Sequence, residues 1–207
     1  MSLSYAGRLG RLAHEWDDPP RREYAYVLGM YLGDGCITRM RRSYWLRIAL
    51  DAAYPDIIEE CRAATATLMP LNKVSIRKRK YRCVDISCHS LLWPDLIPQH
   101  GPGRKHHRPI VLEQWQRWIV EAEPRAFIRG LFHSDGSYFQ NRVRSAKGKE
   151  YAYDRYMFAN NSGDIRQLFI WACSLIGVEA RMVGSRNVSV ARRRSVAMLN
   201  EFLGPKT

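Results

Sequence analysis

The sequence predicts an α+β protein made of two pseudo-symmetric αββαββα repeats, and three observations carry that expectation. Val27-Leu-Gly-Met-Tyr-Leu-Gly-Asp-Gly35 and Ile128-Arg-Gly-Leu-Phe-His-Ser-Asp-Gly136 share one pattern: an apolar run with an internal glycine that closes on Asp-Gly. Each copy leads into a β-type stretch. Behind each, the same succession of strand-like and helix-like segments recurs. Internal repetition of this kind fixes architecture before any single element is placed.

The elements follow in order. Gly29 and Gly130 lie inside segments that read as helices, where glycine costs about 1 kcal/mol relative to alanine and marks the close approach of another backbone. Gly33 and Ser134, four residues further, share that face. The two helices are therefore expected to pack side by side through Gly29, Gly33, Gly130 and Ser134. Gly35 and Gly136 are expected in the left-handed conformation that ends a helix. That puts Asp34 and Asp135 in the last turn, where the helix dipole disfavours an anion by roughly 0.3–1 kcal/mol and a bound cation offsets the cost.

After the first motif come an extended stretch, Cys36–Arg41, and a strand, Tyr44–Leu50. Pro55 opens a helix reaching about Leu68. Strands near Lys73–Lys78 and Arg82–Ser87 flank a basic turn, and a short helix containing Leu91, Leu92 and Trp93 closes the half. The second half starts with a helix around Val111–Val120, and Pro124 begins the motif helix. Strands Ser137–Arg144 and Tyr151–Ala159 follow, and the polar run from Asn160 to Asp164 caps a helix, Ile165–Ile176. Strands Val178–Val183 and Val188–Arg192 precede a last helix, Ser195–Leu203. The domain reading is an N-terminal arm over residues 1–22, a first repeat over 23–97, a basic Gly/Pro linker over 98–110 and a second repeat over 111–207.

The chain carries 33 Lys and Arg against 20 Asp and Glu, a net charge of +13, which favours a polyanionic partner. No apolar run approaches the roughly 18 residues of a membrane span, and the N-terminus lacks a signal-peptide core. The five cysteines form no CxxC pair, so an intracellular, cytoplasmic or nucleoid-associated setting is expected, with no membrane partner. Cys83, Cys88 and His89 match no common zinc spacing.

Strand alternation separates an apolar from a basic face. Trp45 and Arg47 oppose Tyr44, Leu46, Ile48 and Leu50; Lys73, Ser75, Arg77 and Arg79 oppose Val74 and Ile76; Asn187 and Ser189 oppose Val188 and Val190. Tyr138, Gln140, Arg142 and Arg144 share one face. With Arg39, Arg41, Tyr153, Arg155, Arg181 and Arg186 they form a basic saddle for double-stranded DNA, since a two-stranded ribbon fits the major groove. Arg104 and Lys105 of the linker are expected on phosphates, and His100, His106 and His107 read as solvated linker.

The shared Gly-x-x-x-[Gly/Ser]-Asp-Gly pattern, one carboxylate per copy, is similar to the LAGLIDADG motif. From residue 23 to 203 the chain resembles a two-repeat, single-chain LAGLIDADG homing endonuclease. The resemblance implies a monomer that hydrolyses one phosphodiester per DNA strand at a long, asymmetric site. Asp34 and Asp135, helped by Gly33 and Ser134, would hold Mg²⁺ or Mn²⁺. In that family a lysine orients water near the site. Lys78 and Lys80 are the first-half candidates, while the matching part of the second half offers Arg181, Arg186 and Arg192 but no lysine. Arg47 and Arg155 are expected near the scissile phosphates. His133, opposite Leu32 of the first copy, reads as packing. A DNA-binding regulator without cleavage and an RNA-binding splicing factor on the same scaffold stay as alternatives. Both aspartates favour cleavage, because a pure binder gains nothing from two carboxylates beside phosphates.

Overall fold

The computed structural model describes residues 20–144, 148–204 and 206. Most of the expected arm, residues 1–19, lies outside the described residues. The order is α1 (Arg21–Asp34), β1 (Gly35–Arg39), β2 (Tyr44–Asp51), α2 (Pro55–Leu68), β3 (Val74–Lys78), β4 (Cys83–Ser90) and α3 (Trp93–Leu96). A 3₁₀ turn, Lys105–His107, and α4 (Gln114–Ala122) lead to the second set. It comprises α5 (Pro124–Asp135), β5 (Gly136–Arg144), β6 (Glu150–Ala159), α6 (Gly163–Leu175), β7 (Arg181–Val183), β8 (Asn187–Val190) and α7 (Arg193–Asn200). Two antiparallel sheets, β1-β2-β4-β3 and β5-β6-β8-β7, repeat one topology.

Every residue of α1 from Tyr24 to Leu32 is buried. A helix apolar on all sides belongs in the middle of a protein, and this one packs along α5. The crossing is as close as the glycines suggest. A Cβ on Gly29 would lie 2.6 Å from the Phe127 carbonyl oxygen and 2.8 Å from the Leu131 nitrogen, and one on Gly130 would overlap the Tyr26 carbonyl oxygen. Gly33 meets Ser134 in the same way. The expected left-handed caps are not found: Gly35 has φ −86° and ψ 153°, and Gly136 φ −89° and ψ 156°. Each helix runs directly into its strand, with the Gly35 and Gly136 N–H groups still bonded to Tyr31 and Phe132 carbonyls. Glycine is needed there for space, since a Cβ on Gly35 would sit 2.5 Å from the Tyr31 Cα.

In the first sheet Leu46, Ile48, Val84, Ile86 and Cys88 are buried beneath the helices. In the second Tyr156, Phe158, Val188 and Val190 play that part. Register fixes the rest, because directly paired residues share a face. Tyr138 pairs Tyr156, Gln140 pairs Asp154, Arg142 pairs Ala152 and Arg144 pairs Glu150. Those four expected DNA contacts therefore lie on the helix side of β5–β6. The outer face carries Ser137, Phe139, Asn141 and Val143, opposite Met157, Arg155, Tyr153 and Tyr151. Strand β4 runs on to Ser90, beyond the expected end, because β2 pairs with it over its whole length.

The linker is held by buried amides. Gln99 Nε2 donates to the Val111 carbonyl at 2.8 Å, and Gln116 Nε2 donates to the Tyr24 hydroxyl at 2.7 Å. The Ile110 N–H donates to Asp164 Oδ2 at 2.8 Å.

His133 is packed, as expected, and only 5% exposed. Its Nδ1 lies 3.0 Å from the Tyr26 hydroxyl, beside a bidentate Arg129–Glu60 pair. Desolvation, then the Arg129 and Lys206 charges, push its pKa down to about 3. An unfolded histidine titrates near 6.5, so the folded state binds fewer protons between these values. Stability is full above pH 6.5 and falls as pH drops toward 3. His133→Leu, the residue of the first repeat, should flatten this loss by roughly 2–3 kcal/mol between about pH 6.5 and pH 4. Urea melts of both proteins across that window check it, and equal slopes would refute it.

Candidate active site

Helices α1 and α5 end together and deliver one carboxylate each. A Cβ on Gly33 would come within 3.0 Å of Asp135 Oδ2, which shows how closely the two ends approach. Asp34 keeps exposed surface although its carboxyl is desolvated by the surrounding protein, and Asp135 is half-buried. Desolvation pushes the Asp34 pKa up to about 6, Asp135 repels it further, and Lys105 and Lys206 oppose the rise. For Asp34 desolvation outweighs the residue's exposed surface, because protein surrounds the carboxyl. Asp135 is also raised by desolvation, but Asn160 Nδ2 donates to its Oδ2 at 2.6 Å and holds the rise back. Two anions at two helix C-termini are a frustrated arrangement without a cation.

Two lysines serve the pair. Lys105 Nζ donates to the Gly33 and Gly35 carbonyls, each at 2.8 Å, and to that of Tyr31. It sits 4.9 Å from the centre of the Tyr31 ring. Lys206 Nζ donates to the His133 carbonyl at 3.1 Å and sits 5.3 Å from the centre of the Phe132 ring. Tyr31 and Phe132 hold the same place in the two motifs. Burial lowers both ammonium groups to about 8, against the attraction of Asp34 and Asp135.

This arrangement departs from the sequence reading. Lys105 was expected on DNA phosphates and instead caps α1 beside the aspartates. The turn and strand of the second half that match Lys78 and Lys80 hold no lysine, as expected, and the lysine beside Asp135 is Lys206, from beyond the last helix. Lys78 and Lys80 line another recess, with Trp45, Arg47, Arg77 and Asp85. One signal was present: Lys105 follows Asp34 at the same distance along the chain as Lys206 follows Asp135.

A cleft of 640 Å³ opens beside the pair, lined among others by Lys105, Arg108, Asp135, Asn160 and Arg186. A recess of 120 Å³ holds Asp34 with Asp51, Tyr54 and Lys206. Of the other expected metal contacts, the Gly33 carbonyl accepts from Lys105, and the Ser134 hydroxyl donates to Leu131 and Gly130 carbonyls. Among the described residues there is no group of three or more His, Cys, Asp or Glu suited to a metal. Any ion here would rest on the two carboxylates and non-side-chain oxygens.

On the outer face of the first sheet the structure brings Trp45, Arg47, Ser75 and Arg77 together, as expected, and adds His89, which stacks on Trp45 at 5.5 Å. Arg47 lies 4.6 Å over the same indole. Arg79 approaches Asp85 at 3.4 Å. Arg39 pairs with Tyr44 and so falls on the helix side of β1. Lys73 and Arg41 are exposed beside the strands, and Arg104 lies on the cleft rim. On the second sheet Tyr153, Arg155, Arg181, Asn187 and Ser189 share the outer face. Arg186 reaches the cleft. Counting from the two Asp-Gly pairs, Arg47 corresponds to Met157 and Trp45 to Arg155, not Arg47 to Arg155. The Nε–H groups of Arg47, Arg108 and Arg155 are buried with no hydrogen-bond partner among the described residues. Each is a buried donor that a shift of its own side chain would have to expose before an acceptor could reach it.

No protein-family model and no curated protein matches the sequence. The fold is that of solved LAGLIDADG homing endonucleases. The chain is similar to I-DmoI in complex with DNA and manganese, with TM-score 0.60, 15% identity and coverage of 90% of this chain and 99% of that one. It is similar to I-SmaMI bound to cleaved DNA, with TM-score 0.55, 9% identity and coverage of 88% and 83%. Likewise it matches I-AabMI bound to uncleaved DNA, with TM-score 0.54, 10% identity and coverage of 86% and 82%.

Proposed function

We propose that the protein is a site-specific, divalent-metal-dependent DNA endonuclease that cuts both strands of a long asymmetric duplex site as a monomer. The observation that carries this reading is the pair Asp34 and Asp135, each with a lysine beside it, at the ends of two packed helices that each run into a sheet with arginines on its outer face. The similar structures I-DmoI, I-SmaMI and I-AabMI were solved with DNA, and one of them with manganese. The shared scaffold, together with this chain's own pair of helix-end carboxylates, supports the same chemistry here.

The residues suit a hard divalent ion. Mg²⁺ takes oxygen ligands, keeps several waters and is commonly held by one or two carboxylates plus substrate phosphates. That suits a site where, among the described residues, no group of three or more His, Cys, Asp or Glu could hold a metal. Asp34 and Asp135 would hold it, and their raised pKa values are the cost that its charge removes. When bound, the ion lowers the pKa of a water and stabilises developing charge on phosphate oxygens.

The other roles fall to the chain itself. Lys206, with its pKa lowered to about 8, stands where it can orient water and give or take a proton near neutral pH. Lys105 commits its three N–H donors to the Tyr31, Gly33 and Gly35 carbonyls and holds a positive charge beside the aspartates. Asn160 fixes the Asp135 carboxylate through its 2.6 Å bond. Arg47 and Arg155 stand on the outer faces of the two sheets, toward the DNA, and Arg104, Arg108 and Arg186 line the cleft for phosphates. The proposed setting follows from the substrate, and is the DNA-containing interior of the cell. Among the described residues no helix is long and apolar enough to cross a membrane.

The test is incubation with a plasmid library of randomised inserts in Mg²⁺, followed by sequencing of the cut ends. The expected result is one long consensus, cut once on each strand, with no cutting in EDTA. A protein that retains specific duplexes but cuts none would support the regulator instead.

A further inference from the structure

The two outer faces carry different chemistry. On the first sheet the outward positions include Trp45, Arg47, Ser75, Arg77 and His89, so hydrogen-bond donors predominate. On the second, the hairpin β5–β6 presents Phe139, Asn141, Val143, Tyr151 and Tyr153 before Arg155 is reached. Only Tyr156–Ala159 of β6 pairs with β8, so the outer part of the hairpin extends past the sheet as a two-stranded ribbon.

Phe139 is 40%, Val143 47% and Tyr153 52% exposed, on the face turned away from the core. Tyr151 and Tyr153 stack nearly parallel, 6.2 Å between centres, which makes the patch continuous. A connected apolar surface with a polar rim marks an interaction site. The surroundings choose its occupant. Arg155 and Arg181 share the face, Lys149 lies 5.4 Å over the Tyr151 ring, and Arg142 and Arg144 back the ribbon. The patch continues the basic saddle, so its partner is the same polyanion.

The major groove of a duplex has one prominent apolar group, the thymine 5-methyl, and asparagine is suited to bond adenine N6 and N7. We propose that the β5–β6 ribbon reads a thymine-rich half-site, through methyl contacts from Phe139, Val143 and Tyr151 and an adenine contact from Asn141. The first sheet reads a G·C-rich half-site through Arg47 and Arg77, since arginine bonds guanine O6 and N7. This assignment rests on the DNA-binding reading above.

The experiment selects duplexes from a randomised library with the full chain in EDTA, where hydrolysis is blocked. Deoxyuridine then replaces thymidine in each half of the selected site, removing methyls alone. In one half each contacted methyl should weaken binding about fourfold, which is about 0.8 kcal/mol. The double variant Phe139→Ser, Val143→Ser should lose that sensitivity, and Arg77→Ala should relax base preference only in the other half. Tight duplex binding with no deoxyuridine effect in either half overturns the inference and leaves DNA binding intact. Retention of no duplex at all overturns the DNA reading itself. A dimer in sedimentation that Val143→Ser turns into monomer would give the ribbon to a second copy, and so also overturns it.

Discussion

Replacing Asp34 or Asp135 with asparagine is expected to abolish double-strand cleavage while duplex affinity stays at the wild-type level or rises. An amide keeps the shape of the carboxyl but cannot supply the charge that holds a divalent ion. It also removes one of two anions that face DNA phosphates, so binding loses a repulsion. Each residue comes from a different helix end, and a single substitution should leave at most slow nicking of one strand. Lys206→Met should instead keep the metal pair and slow cleavage by about 10²–10⁴-fold, the usual worth of a positioned proton-transfer group.

The aspartate variants also carry a stability signature. The folded-state pKa of Asp34 is raised to about 6 from 3.8, so its ionised form is disfavoured by folding. That cost is full above pH 6 and disappears as pH falls below 3.8. Asp34→Asn removes it. After discounting for the exposure of Asp34, a gain on the order of 1 kcal/mol at pH 7 is expected. Cleavage assays in Mg²⁺, filter binding in EDTA and urea melts of the same preparations check all three effects. An Asp34→Asn protein that cuts both strands at the wild-type rate would end the assignment.

The first sheet was legible because its apolar alternation is strict: Leu46, Ile48, Val84 and Ile86 all point one way and are all buried. The β5–β6 hairpin broke the rule that apolar positions face the core. Its outer half runs on beyond the edge of β8, so Phe139 and Val143 turn outward while Arg142 and Arg144 turn back, and residue polarity no longer reports the face. Aligning the repeats by their hairpins also misleads, because β5 and β6 are longer than β1 and β2. Counting from the Asp-Gly pairs gives the right partners. The aspartates themselves were readable, since a helical segment with a repeated small-residue face has few other uses. The lysines were not, because Lys105 and Lys206 lie in segments with no apolar periodicity. Their matched spacing to the aspartates was the only trace. Asp-Gly was misleading in one respect: it is a strong turn signal, yet here both helices pass into strands with extended glycines.

The helix crossing should be the least forgiving place in the molecule. Gly130→Ala is expected to cost more than about 3 kcal/mol or to prevent folding, although alanine is the better helix former by about 1 kcal/mol. The added methyl would overlap the Tyr26 carbonyl oxygen and stand 3.0 Å from the Met30 nitrogen. Both are backbone atoms of α1, which is buried from Tyr24 to Leu32 and has no room to retreat there. Overpacking of side chains alone typically costs about 1–3 kcal/mol, and rigid backbone leaves less relief than that. Gly163→Ala is the control. Gly163 opens α6, and a methyl added there would meet only the end of the Arg166 side chain, at 3.7 Å. That replacement should change stability by less than about 0.5 kcal/mol. A partly folded Gly130→Ala protein should also lose cleavage more than DNA affinity, because separating α1 from α5 parts Asp34 from Asp135 while leaving each sheet its outer face. Denaturant melts and parallel binding and cleavage assays decide the matter. A Gly130→Ala chain within about 1 kcal/mol of wild type would mean that the two helices do not cross at these glycines.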